Sequence, residues 1–170
     1  MRIMFVCTGN ICRSPLAHRL LEKQASDRGV ADRIEVESSG TDHWHVGEEV
    51  DSRMRSTAAA HGLKLNHRAR QIEPEDLREY DLVIAMGAGH LRAVRSLAHR
   101  AGVSNAPEPR LFREFDPLVA GTRKIPDVPD PYYGGDSGFE EVYRIVERTC
   151  ASLLDALQEG RLQADEPGSS

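Results

Sequence analysis

The sequence predicts an α/β fold: one domain on a four-stranded parallel sheet with helices on both faces. Three observations carry this. Short apolar, strand-forming runs alternate with helical segments, the pattern of βαβ units rather than of hairpins. The run Leu82-Val-Ile-Ala-Met86 is apolar without interruption, as in a strand buried on both faces of a parallel sheet. With 170 residues, 39% hydrophobic and 29% charged, the chain is long enough for one domain with a proper core.

In chain order, Ile3 to Val6 reads as the first strand and Pro15 to Leu21 as the opening of a helix. Ser14 suits the N-cap and Pro15 the first helical position, where its missing N–H has no partner to lose. Gly29 can stop this helix. Ile34 to Ser38 alternates apolar and polar and reads as the second strand, ended by Ser39 and Gly40. The loop from Thr41 to Val50 carries the only tryptophan, Trp44. A second helix is expected from Asp51 or Ser52 to Gly62. After a polar, basic stretch over residues 63–72, Pro74 opens a short helical turn with Glu75 and Asp76 at its N-terminus. Leu82 to Met86 is the third strand, Gly89 to Ala98 a helix and Arg110 to Phe112 the fourth strand. Residues 113–138, rich in Pro and Gly, read as loop, and a loop this long in a compact domain is usually functional or disordered. Phe139, Val142, Tyr143, Val146, Cys150, Leu153, Leu154 and Leu157 then mark one face of a long amphipathic helix. The domain is drawn over residues 1–160, with the polar residues 161–170 as a disordered tail.

The bulk numbers exclude several classes of function. A net charge of −5 gives no general attraction to nucleic acid or to an anionic membrane. No apolar run is long enough to span a bilayer, and the apolar stretch of MRIMFVC is too short for a signal peptide. Three cysteines, two of them in one loop, do not make a secreted disulfide scaffold. The expected location is the cytoplasm, with export by a route lacking a signal peptide left open.

The chemistry is concentrated between the first strand and the first helix, in Cys7-Thr-Gly-Asn-Ile-Cys-Arg13. Such a loop aims backbone N–H groups and the positive end of a helix dipole into one hollow, which will take an oxyanion, most naturally phosphate. Thr8, Gly9, Asn10, Ile11, Cys12 and Ser14 are its candidate phosphate-binding residues. Amide N–H groups, a guanidinium and a helix N-terminus around Cys7 favour its nucleophilic thiolate. Arg13 can fork two N–H bonds onto two phosphoryl oxygens, which Lys cannot do with the same geometry. Cys7 is thus the candidate nucleophile, with Arg13 and the loop amides holding the equatorial oxygens. A bare Cys-x5-Arg is a weak pattern; between a strand and a helix, with Gly9 inside and Ser14 following, it is a strong one. The cysteines and histidines show no second pair at ligand spacing, so neither a metal nor another cofactor is expected.

VCTGNICRSP resembles the active-site signature of the low-molecular-weight protein tyrosine phosphatases, and TDHWHVG looks closest to bacterial members. The resemblance covers Ile3 to about Leu157. It implies a doubly wound fold, hydrolysis of phosphotyrosine proteins through a cysteinyl-phosphate intermediate without metal, and inorganic phosphate or other oxyanions as ligands of the loop. It also implies an acid aspartate in an Asp-Pro-Tyr motif, matched by Asp130-Pro131-Tyr132. Asp130 would protonate the leaving phenolate and then take a proton from the attacking water; Asp127, three residues earlier, is a rival that lacks the following Pro-Tyr. By the same resemblance, Trp44, Tyr132 and Tyr133 with Ile11 wall a slot deep enough to exclude phosphoserine. Asn10 would be braced by Ser39, and His61 and His67 would be scaffold under the loop. Cys12 would resolve an oxidised Cys7 by forming a disulfide. Tyr132 and Tyr133 are candidate phosphorylation sites. The chain departs from the pattern at Gly87, where relatives commonly have Asp, which puts the rigidity of that side in doubt.

Three rival functions fit less well. An arsenate reductase of this fold needs two further cysteines beyond the third strand, and residues 82–95 hold none. A phosphopeptide reader has no use for Cys7 or Asp130, and a phosphocarrier has none for the acid.

Overall fold

The computed structural model describes residues 1–119, 121–132 and 135–162. Four strands, β1 (Arg2–Cys7), β2 (Glu35–Gly40), β3 (Leu82–Ala85) and β4 (Arg110–Leu111), form one sheet in the order β2-β1-β3-β4, and every pairing is parallel. The helices are α1 (Arg13–Asp27), α2 (Ser52–Ala60), α3 (Pro74–Glu79), α4 (Ala88–Arg100) and α5 (Asp136–Gln158), with single 3-10 turns at Ala31–Arg33 and Phe112–Phe115.

Alternation along β1 builds both layers. Ile3 and Phe5 point into a core with Leu16 and Leu20 of α1 and Val142, Val146 and Leu153 of α5. Met4 and Val6 point the other way, onto Leu77 of α3, Val83 of β3 and Val94 of α4. Fully burying one such side chain contributes roughly 1.5–3 kcal/mol, so β1 is gripped from both faces. Its C-terminal end lies where the strand order turns back, the place at which doubly wound sheets gather ligands.

The elements differ from the sequence expectation in instructive ways. The first helix begins at Arg13, with Cys12 in the cap position and no side-chain cap. Ser14 is therefore not the N-cap; it is the second helical residue, and its hydroxyl is used inside the loop below. Asp51 does cap α2, accepting the Arg53 N–H at 2.8 Å. β4 stops at Leu111 because Phe112 leaves the strand to pack edge-on against Phe5, 5.4 Å between ring centres. Most of the polar tail expected from residue 161 lies outside the described residues; Leu162 is described and is buried against the core. No described helix is long and apolar enough to cross a membrane.

The described residues between 116 and 135 form no helix or strand, and the segment is rooted by one buried carboxylate. Asp116 is fully buried. It accepts from Arg148 Nε and Nη2 at 2.9 and 3.0 Å, from Arg113 Nε at 3.1 Å and from the Leu118 N–H at 3.0 Å. Burial pushes its carboxyl up, but Arg148, the Leu118 N–H and Arg113 together outweigh that and hold it below the ordinary 3.8. A carboxyl lowered by folding stabilises the native state at pH above its unfolded value and stops doing so as pH falls through the folded one. Asp116→Asn, which leaves two guanidiniums facing a neutral partner, is expected to cost about 3 kcal/mol at neutral pH. Urea unfolding should show that difference shrinking as the pH falls below 3.8.

Candidate active site

The loop after β1 is shaped by backbone bonds to its outer side. The carbonyls of Cys7, Thr8 and Ile11 accept from the N–H groups of Thr41 (2.9 Å), Asp42 (3.0 Å) and Asp51 (2.8 Å). A trans peptide points its N–H opposite to its C=O, which turns the amides of Gly9 and Cys12 inward. The approach of β2 is close. A Cβ on Gly40 would lie 2.5 Å from the Thr8 carbonyl oxygen, so no larger residue fits there.

Asn10 is the hub of the loop. It is fully buried and the one described non-glycine residue with positive φ, at 60°. Its Nδ2 donates to Ser14 Oγ (2.8 Å) and Ser38 Oγ (3.1 Å), and its Oδ1 accepts from the Arg70 N–H (2.9 Å) and meets His67 Nε2 (2.8 Å). An amide oxygen only accepts, so His67 donates and carries its proton on Nε2. Burial, His18 and Arg70 lower His67 to about 4, which keeps it neutral. The brace on the second strand is thus Ser38 and not Ser39. Adjacent strand residues face opposite ways: Ser39 Oγ meets Met4 Sδ on the far layer, and only its carbonyl, an acceptor for Ser14 Oγ at 3.3 Å, serves the loop.

Cys7 ends β1 with its Sγ 2.9 Å from Ser14 Oγ. Because Ser14 already accepts from Asn10, its own proton is free to go to Cys7 Sγ or to the Ser39 carbonyl. Arg13, also buried, donates through Nη1 to the Val128 carbonyl at 3.2 Å and lies with Nη2 3.5 Å from Asp130 Oδ2. Asp130 accepts the Tyr132 N–H at 3.0 Å and is 44% exposed at the mouth. Asp127 is occupied otherwise: its Oδ1 accepts the Ala88 N–H at 2.9 Å at the start of α4. Its carboxyl fills the space where a Cβ on Gly87 would fall, at 2.6 Å. The helix start that Gly87 leaves bare is therefore held by Asp127.

These groups share one cavity of about 350 Å³. Cys7, Thr8, Gly9, Cys12 and Arg13 form its floor, and Ile11, Trp44, Tyr132 and Asp130 its walls. Trp44 is 73% exposed and stacked on His43, ring centres 5.0 Å apart. Tyr133, expected as a further wall, lies outside the described residues. Cys12 is a free thiol, and burial, with Asp51 and Cys7 next, pushes it well above its ordinary value. His67 sits under the loop, but His61 does not. It bonds Glu140 at 2.8 Å and stacks on Tyr143 with 3.9 Å between ring centres, joining the end of α2 to α5.

Three residues at the site were not among those the sequence assigned to it. Asp42 and His45 line the cavity because the chain after β2 continues along the loop. His90 in α4 meets Thr8 Oγ1 through Nε2 at 2.8 Å. Burial, with Arg13 next, lowers His90 to about 4. Among the described residues no group of three His, Cys, Asp or Glu is placed to hold a metal ion.

The family model for low molecular weight phosphotyrosine protein phosphatase matches residues 2–163. A low molecular weight protein-tyrosine-phosphatase of Streptomyces coelicolor is 47% identical over 158 residues, 93% of this chain and 94% of that one. The crystal structure of a protein tyrosine phosphatase from Entamoeba histolytica with Hepes in its active site superposes with a TM-score of 0.82 at 31% identity, covering 95% of this chain and 99% of that one. A Drosophila arginine phosphatase superposes with a TM-score of 0.84 at 30% identity, covering 93% and 98%.

His67 and His90, both at about 4 in the fold against an ordinary 6.5, predict a pH dependence. Between these values the unfolded chain binds protons that the native histidines refuse, so stability falls as the pH drops from 6.5 towards 4. Urea unfolding across that range should show His67→Gln and His90→Gln each flattening the slope by up to one proton; unchanged slopes would contradict the assignment.

Proposed function

The chain belongs to the low molecular weight phosphotyrosine protein phosphatases, and from that premise we propose a two-step hydrolysis of phosphotyrosine in which Cys7, Arg13 and Asp130 do the chemistry. The observation that carries the reading is the spacing inside one cavity: the nucleophile on its floor, and the guanidinium within 3.5 Å of the carboxyl at its mouth. The loop amides and Arg13 take the three equatorial phosphoryl oxygens. The Cys7 thiolate attacks phosphorus, the S–P bond forms as the P–O bond to the tyrosine ring breaks, and Asp130 gives its proton to the departing oxygen. Water then attacks the same phosphorus, losing a proton to Asp130. The S–P bond breaks, and inorganic phosphate leaves. The Ser14 hydroxyl stabilises the returning thiolate as leaving group.

Substrate class follows from the walls. Ile11, Trp44 and Tyr132 offer apolar and aromatic surface that suits an aryl ring at the depth of the loop, whereas a phosphoserine is too short to fill the space. A neighbour of the same fold is an arginine phosphatase, so a phosphoarginine peptide is the necessary control. A cytoplasmic location belongs to the same proposal, supported by three free thiols. So does protection of Cys7 by Cys12: after mild peroxide, peptide mapping should find a Cys7–Cys12 disulfide, and Cys7 passing straight to sulfinic acid would sink that role.

Hydrolysis of p-nitrophenyl phosphate in EDTA should be abolished in Cys7→Ser and slowed by ~10² or more in Asp130→Ala. Phosphotyrosine peptides should be turned over well ahead of phosphoserine and phosphoarginine peptides. Faster turnover of phosphoarginine would move the substrate class, and binding without turnover would make the chain a reader.

A further inference from the structure

Asp130 sits in a segment without regular structure, yet a general acid must be held to a fraction of an ångström to be useful. Its carboxyl is tied locally, by the Tyr132 N–H. Arg53 of α2 ties Tyr132 to the phosphate-loop side of the site, donating through Nη2 to the Tyr132 carbonyl at 3.1 Å. The guanidinium lies 5.5 Å from the centre of the Tyr132 ring and 4.6 Å from that of Phe139 at the start of α5. Its other side is fixed: Nε and Nη2 fork onto Asp51 Oδ1 and Oδ2 at 3.2 and 3.1 Å. Asp51 is itself bonded at both ends. It caps α2, and its own N–H donates to the Ile11 carbonyl of the phosphate loop at 2.8 Å.

We infer that Arg53 is a positioning residue for the general acid. It makes the last link of a chain running from the phosphate loop through Ile11, Asp51 and Arg53 to Tyr132 and so to Asp130. The chain fixes the distance between the proton donor and the bond it must protonate, in addition to the ion pair between Arg13 and Asp130. Arginine suits the task because one planar fork can hold a carboxylate and a carbonyl at once while its face covers aromatic rings; lysine offers a point charge with no such fork.

This inference rests on Asp130 being the acid, and the test separates the two. The kcat/KM for aryl phosphates reports the steps up to departure of the aryl oxide. Misplacing the acid therefore costs most when the leaving group is poor and little when it needs no proton. For Arg53→Met the expected loss is ~10–30-fold on phenyl phosphate and under ~2-fold on 2,4-dinitrophenyl phosphate. Asp130→Asn should show the same pattern more strongly, and the double variant should be no worse than Asp130→Asn on phenyl phosphate. Arg53→Lys should fall between wild type and Arg53→Met, and it carries the comparison should the methionine variant fail to fold. Equal losses on both substrates, or no loss, would overturn the role of Arg53 while leaving Asp130 in place. A flat leaving-group response of Asp130→Asn itself would remove the acid and this inference with it.

Discussion

The site depends first on a single buried amide. Asn10 spends both Nδ2 hydrogens and both Oδ1 lone pairs on Ser14, Ser38, His67 and the Arg70 backbone. It does so from a left-handed backbone conformation that Asn tolerates better than most residues. Leaving one buried polar partner unpaired costs roughly 1–3 kcal/mol, so four satisfied bonds make any other loop shape expensive. That shape decides where the amides point, leaves the Ser14 proton available to Cys7, and ties the loop to a neutral histidine.

The second constraint is electrostatic. An anion must be held by a chain of net charge −5, so the attraction has to be local. The fold supplies it with peptide dipoles at the end of the central strand, the start of α1 and one buried guanidinium. Carboxylates around the cavity are given partners instead of being removed. Asp51 is used up by α2 and Arg53, Asp127 by the start of α4, and Asp116 by two arginines at the root of the loop. Asp130 stays half-exposed at the mouth, beside the Arg13 guanidinium, in the position the proposed acid requires.

The parts of this arrangement that are local in sequence were legible from the chain. The strand, loop and helix around Cys7 and Arg13, the uninterrupted run of β3 and the amphipathic face of α5 follow from periodicity and turn chemistry; the role of Asp130 came with the family resemblance. What was not legible lies in choices made by tertiary contacts. Two adjacent serines look equivalent in a string, but strand parity gives Ser38 to the loop and Ser39 to the opposite layer. Ser14 looks like a helix cap until the helix starts two residues earlier, at Arg13, and the hydroxyl turns to Cys7. His61 and His67 looked like a pair, and the packing of α2 on α5 separates them. His90 and Arg53 carry no motif; the crossing of remote segments alone brings them behind Thr8 and Tyr132, which line the cavity.

In the proposed reaction the phosphoryl group passes through sulfur at the floor of this loop. Rapid mixing of wild-type protein with p-nitrophenyl phosphate, acid quench and peptide mass mapping tests it directly. One phosphoryl group is expected on the peptide containing Cys7, localised to its sulfur and lost when the quench is delayed beyond turnover. Turnover with no modified peptide, or with the phosphoryl group on any other side chain, would contradict it.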